Sequence, residues 1–113
     1  MNYKLAKQLK DAGFPQDTNY EFIKILKTGK IEVWDSCEIS EFQTHKQEIL
    51  EVACPTLSEL IEACGEQFGA LILSKEGWTA LSNEERYLIE YQNRVTKTPK
   101  IAVTKLWLKL NTK

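Results

Sequence analysis

The stretch "YEFIKILKTGKIEVWD", residues 20–35, decides what kind of fold this chain adopts. Its β-branched and aromatic residues crowd both sides of Thr28-Gly29, where glycine permits a tight turn, and this pattern predicts a β-hairpin. The same letters admit a helical reading. Thr18 and Glu21 have the spacing of a capping box, Phe22, Ile25 and Leu26 then share one helical face, and Gly29 ends it. "IEVWD" is a strand under either reading.

Before this stretch, "YKLAKQLKDAGFP" repeats apolar residues at Leu5, Leu9 and Ala12 with Ala6 beside them, the stripe of an amphipathic helix. Gly13 suits the left-handed position after a helix, Phe14 can fold back as the hydrophobic contact of a Schellman closure, and Pro15 prevents continuation. Lys4, Lys7 and Lys10 then line the outer face.

After it, "CEISEF" and "EILEVAC" read as two more strands around the polar "QTHK", with a short helix after Ser40 as the competing reading. The segment "CPTLSELIEACG", residues 54–65, is a capped helix: Thr56 and Glu59 form a T-x-x-E box, Pro55 enforces an extended approach, and Gly65 supplies the stop. Leu57, Leu60, Ile61 and Cys64 fall on one face. "FGALILSKEGWTALS" has two apolar runs around Lys75-Glu76-Gly77, the signature of a hairpin with glycine in its turn. Residues 83–95 read as a helix capped by Ser82 or Asn83, or as an extended excursion. A last helix starts at the N-cap Thr98, with Pro99 in the first turn where its missing donor costs little, followed by "KIAVTKLWLKLN". The sum is an α+β fold, expected as a single domain over residues 1–113, with N-terminal, central and C-terminal helices packed on an antiparallel sheet of hairpins.

Composition narrows the function classes. With 42% hydrophobic and 27% charged residues in 113, the chain has the balance of one globular core. Its longest apolar runs, such as "GALIL", fall far short of the ~20 residues a membrane-spanning helix requires. No apolar secretory core follows the lysines of "MNYKLAKQLK", so a cytoplasmic location with reduced thiols is expected for Cys37, Cys54 and Cys64. The net charge of -1 conceals a division: the run from Glu32 to Glu66 is acidic around a single Lys46, whereas residues 86–113 carry Arg86, Arg94, Lys97, Lys100, Lys105, Lys109 and Lys113 against Glu90. Such asymmetry suits either mutual neutralisation or a polyanion-binding surface.

Blocks spread from end to end carry a resemblance: Ala12 to Pro15 (A-G-F-P), Pro55 to Gly65 (P-T-L-S-E-L-I-E-A-C-G), Gly77-Trp78, and Thr98 to Asn111 (T-P-x-x-A-V-x-x-L-W-L-x-L-N). In these the chain resembles a set of small, uncharacterised phage and prophage proteins. The likeness covers roughly half of the chain and treats it as one domain; residues 16–53 and 82–97 have no counterpart in it. Ile101 stands where an acidic residue is expected. The resemblance implies an accessory role and brings no catalytic residues.

Candidate chemistry is sparse. Cys54 lies near a helix N-terminus, where a thiolate is favoured, and the sole histidine, His45, would be its base if the fold brought it near. No orienting acid or oxyanion feature accompanies them, and a free cysteine preceding a cap is more often a small buried hydrophobe, so no enzyme activity is expected. Cys37, His45, Cys54 and Cys64 contain no short chelating pair, which argues against a metal site, and no cofactor is expected either. Glu59, Glu62 and Glu66 repeat at helical spacing as a solvated face. No phosphate-binding glycine loop is present.

The last helix suggests a partner. Ala102, Val103, Leu106, Trp107 and Leu110 form one apolar stripe, while Ile101 and Leu108 emerge nearly opposite, seven residues apart. A helix apolar on two faces needs two partners, so a protein-interaction role through Ile101, Leu108, Lys105 and Lys109, by homodimerisation or with a host factor, is the leading expectation. The alternative is nucleic acid held by Arg94, Lys97, Lys100, Lys105, Lys109 and Lys113. An α-β-β-β-α order with a basic last helix matches double-stranded RNA binders in outline, without their loop motif.

Overall fold

Residues 20–35 form the hairpin, and the capping box of the helical reading does not: the Thr18 hydroxyl donates to the Tyr20 carbonyl at 3.0 Å instead. Strand β1 (Tyr20–Ile25) runs antiparallel to β2 (Ile31–Asp35), with Tyr20 opposite Asp35 and Lys24 opposite Ile31. The connection closes through the Gly29 N–H to the Ile25 carbonyl (2.7 Å) and the Ile25 N–H to the Lys30 carbonyl (2.8 Å). Cross-strand pairing satisfies the backbone over the whole stretch and packs β-branched side chains on a pleat, which a single short helix would not.

The computed structural model describes residues 1–35, 37–39, 46–84 and 95–111. Its contacts gather into two compact units, Met1–Pro55 and Thr56–Lys113, each combining helix with antiparallel strands. The chain is α+β, and its strands divide between two sheets.

In the first unit, β3 (Gln47–Ala53) pairs with the other side of β1, giving the order β2-β1-β3. Helix α1 (Tyr3–Asp11) packs on β3 and buries Ala6 and Leu9. Ala6, Phe22, Val52 and Cys54 form the buried cluster, joined by Met1, Tyr3 and Leu50, and the Tyr3 ring meets Phe22 edge-on at 5.5 Å. The expected Schellman closure is complete. The Phe14 N–H reaches the Leu9 carbonyl (2.9 Å), the Gly13 N–H reaches Lys10 (3.0 Å), Gly13 has φ +94°, and Phe14 is buried. The other end is capped by Asn2, whose Oδ1 accepts from the Leu5 N–H at 2.8 Å.

One strand expected from sequence is replaced. Residues 37–39, the start of "CEISEF", are helical because Asp35 Oδ1 accepts the Glu38 N–H at 2.8 Å and turns the chain directly after β2. The remainder of "CEISEF", the "QTHK" linker up to His45, and the alternative helix after Ser40 lie outside the described residues. "EILEVAC" is β3 as read.

In the second unit, α2 (Leu57–Cys64) carries its capping box in full: Glu59 N–H to Thr56 Oγ1 at 3.2 Å and Thr56 N–H to Glu59 Oε1 at 2.8 Å. A 3-10 turn, Gly65–Gln67, leads into the hairpin of β4 (Phe68–Leu73) and β5 (Trp78–Ser82). Gly77 closes the expected turn at φ +142° and has a second reason to be glycine. The tight connection is Lys75-Glu76, closed by Ser74 and Gly77; a Cβ on Gly77 would stand 2.3 Å from the Thr96 carbonyl oxygen. Glycine is therefore required because Trp78 and Thr96 exchange both backbone hydrogen bonds (2.8 and 2.7 Å), bringing that carbonyl against the chain. Helix α3 (Pro99–Asn111) begins with the Ile101 N–H on Thr98 Oγ1 (3.1 Å) and packs on α2 and β5. Leu60, Leu81 and Val103 are fully enclosed. The helix expected over 83–95 falls mostly on residues outside the described set.

Candidate functional site

The two outer edges of the three-stranded sheet are finished differently. In an antiparallel pair, residues alternate between bonding their neighbour and pointing their N–H and C=O away from it. Because Ile25 bonds Lys30, the backbone groups of Glu32 and Trp34 face β1, and those of Ile31, Val33 and Asp35 face outward. On the far side, Tyr20 accepts the Cys54 N–H (2.9 Å), so Ala53 and Glu51 of β3 face outward, and beyond the register shift Ile49 and Gln47 do as well.

The β3 edge is guarded at its Glu51–Ala53 end. Gln16 Oε1 accepts the Ala53 N–H at 2.9 Å, and the Lys10 ammonium donates to the Glu51 carbonyl at 2.8 Å. The pairing register shifts between Glu21 and Ile23, and Glu51 adopts φ +55°, so the strand bulges. Each device prevents another strand from joining.

The β2 edge is open. Its register against β1 is regular over all five residues, and only its end is engaged, by a long 3.4 Å bond from the Asp35 N–H to Glu38 Oε1. Val33 and Ile31 present outward main-chain groups, and among the described residues nothing bonds them. Their side chains share the sheet face that carries Phe22, but α1 covers β3 and leaves Ile31 40% and Val33 42% exposed. Tyr20 on β1 and Leu26 in the turn are exposed beside them. On the opposite face the Trp34 indole N–H donates to Glu32 Oε1 (3.2 Å), and Glu32 is also 3.8 Å from Lys30. An apolar, half-exposed strand with unspent backbone groups can accept another strand.

The residues named from sequence are distributed elsewhere. Ile101 and Leu108 on α3 are each half-buried, and Ala102, Val103, Thr104, Leu106 and Trp107 are buried. Thr104 spends its hydroxyl on the Lys100 carbonyl one turn back (2.7 Å). Lys97, Lys105 and Lys109 are exposed and Lys100 is half-buried, whereas Arg94 and Lys113 lie outside the described residues.

Cys54 sits in the apolar cluster with Ala6, Phe22 and Val52, and His45 lies outside the described residues. Cys64 is buried, and that burial pushes its thiol above the ordinary range, opposite to the shift that makes a nucleophile. Cys37 is exposed. Among the described residues no three His, Cys, Asp or Glu side chains gather as metal ligands, and no helix is long and apolar enough to cross a membrane.

The open edge was not singled out by sequence reasoning, although its strand was placed correctly. Alternation in "IEVWD" separates Ile31 and Val33 from Glu32 and Trp34, but which strand ends the sheet depends on β3, paired across β1 from over twenty residues away. Comparison with protein-family models, with curated proteins and with solved structures finds no match.

Proposed function

We propose that this chain is a non-enzymatic, cytoplasmic accessory protein that works by engaging another polypeptide, and that its docking element is the β2 edge. The observation that carries this reading is the contrast within one sheet: Lys10, Gln16 and the Glu51 bulge guard the Glu51–Ala53 end of one outer edge, while Ile31 and Val33 leave the other regular, apolar and, among the described residues, unbonded. Proteins guard exposed edges because an unguarded one recruits strands, so an edge left open beside a guarded one is suited to recruitment. The resemblance to small phage and prophage proteins supports an accessory role of this kind. The half-buried state of Ile101 and Leu108 moves the favoured surface from the last helix to the first hairpin.

The test is capture on the immobilised full chain after nuclease treatment, with Val33→Lys and the pair Lys105→Glu/Lys109→Glu as variants. The reading expects a protein retained by the wild type and by the double variant and lost with Val33→Lys. Retention of nucleic acid alone, abolished by the double variant and by high salt, would replace it with the basic surface of α3.

A further inference from the structure

Resting on that reading of the edge, we infer that its occupant is a second copy of this chain, β2 against β2, antiparallel about a two-fold axis through Val33. Such an interface must be self-complementary, each residue meeting the one its symmetry mate meets in return. Three neighbouring registers keep the outward groups of Ile31, Val33 and Asp35 in contact, and their cross-strand pairs differ. Centring on Glu32 opposes two like carboxylates, and centring on Trp34 leaves Ile31 without a strand partner.

Centring on Val33 satisfies the edge. Val33 meets Val33 and Ile31 meets Asp35 of the second copy, each pair able to exchange both main-chain bonds because all these groups point outward. The Asp35 N–H leaves only its 3.4 Å bond to Glu38 to do so. Rows then run across both sheets. The central row reads Phe22, Val33, Val33, Phe22, wholly apolar, and continues the face on which both valines are now 42% exposed.

The flanking row supplies charge complementarity: Lys24, Ile31, then Asp35 and Tyr20 of the second copy. Lys24 stands opposite Glu48 of β3 but has no carboxylate within salt-bridge distance among the described residues. Asp35 of the second copy, whose Oδ1 also accepts the Glu38 N–H, would lie two strand spacings away on its other side, about 10 Å between Cα atoms, a gap that two side chains can close. On the other face each Trp34 comes opposite Glu32 of the other copy, so the indole N–H that now serves Glu32 within the chain finds the same acceptor across the axis. A pair of five-residue strands lies at the small end of stable interfaces, so the dimer is expected to be reversible and concentration-dependent.

The experiment is sedimentation of the full chain over a wide concentration range, followed by oxidation of cysteines introduced one at a time at the edge in a Cys37→Ser background, where the remaining Cys54 and Cys64 are buried. The expected result is a reversible monomer–dimer equilibrium, lost in Val33→Lys with an unchanged circular dichroism spectrum. Val33→Cys should form a disulfide-linked dimer, since paired Cα atoms about 5.5 Å apart suit a disulfide. Ile31→Cys should not, because the two Ile31 positions are four residues out of register, roughly 14 Å apart. A dimer that survives Val33→Lys, or that cross-links through Ile31→Cys, overturns the inferred interface. A chain monomeric at every concentration whose capture of another protein still needs Val33 overturns the second copy and leaves the docking edge standing; a monomer with no binding that depends on Val33 overturns both.

Discussion

Strands β2 and β3 flank the same central strand, yet their outer edges are finished differently: β3 is guarded at its Glu51–Ala53 end and β2 runs regular and half-exposed. The guard is assembled from far along the chain: Gln16 from the loop after α1 and Lys10 from α1 itself spend their polar groups on Ala53 and Glu51. Among the described residues β2 receives nothing comparable along Ile31 and Val33. The lesson is that edge protection is a tertiary property, supplied by whatever element lies alongside.

The largest effect should come from the residue that both edges share. Phe22 is 3% exposed on the central strand, and Phe22→Ala should cost about 3–5 kcal/mol in a denaturant titration. Val33, its neighbour in the same row, should lose under about 1 kcal/mol when changed to alanine, because it is half-exposed. Equal losses would mean that β2 is covered as fully as β1.

Next comes opening the closed edge. Gln16→Ala leaves the Ala53 N–H without its acceptor and should destabilise by about 1–2 kcal/mol, with faster hydrogen exchange at Ala53. Should oligomers also appear that Val33→Lys does not remove, the amide will have been shown to be a guard; unchanged exchange at Ala53 would remove Gln16 from the comparison.

Smaller changes are expected at the bulge. Glu51 at φ +55° occupies a region that β-branched residues enter poorly, so Glu51→Val should cost about 1–2 kcal/mol, while Glu51→Gly should raise the denaturation midpoint slightly. A Glu51→Gly variant that unfolds earlier would show that the side chain, and not the backbone, sets the bulge.

The smallest effect on stability belongs to the open edge. Val33→Lys should shift the unfolding free energy by less than about 0.5 kcal/mol, since it changes an exposed side chain at the rim of the sheet whose stem still lies against Phe22. A larger loss would place Val33 within the structural framework of the first unit.

Several elements were legible because their signals are local. The capping box of α2, the Schellman end of α1 and the Thr98 cap of α3 involve residues three to five positions apart, and each appears as read. "CEISEF" was misread at residues 37–39 because a single Asp35 carboxylate diverts the strand pattern into a helical turn. Gly77 closes the turn as expected, and nothing near it in sequence announces that the Thr96 carbonyl also presses against it. Ile101 and Leu108 were singled out from helical rotation alone; rotation says which side chains oppose the main stripe, and the half-burial of both comes from packing that rotation does not encode.

By itself, then, the sequence determined the three helices, the caps at Thr56 and Thr98, the second hairpin and the α+β class, since hydrophobic period and capping chemistry act over a few residues, while residues 20–35 stayed open between hairpin and helix. Only the tertiary structure decided that β2 lies at the rim, that Lys10 and Gln16 guard the opposite edge, and that Cys54 packs among Ala6, Phe22 and Val52. The reason is physical: exposure, and the satisfaction of outward backbone groups, depend on which distant element comes to lie alongside, and no local pattern carries that information.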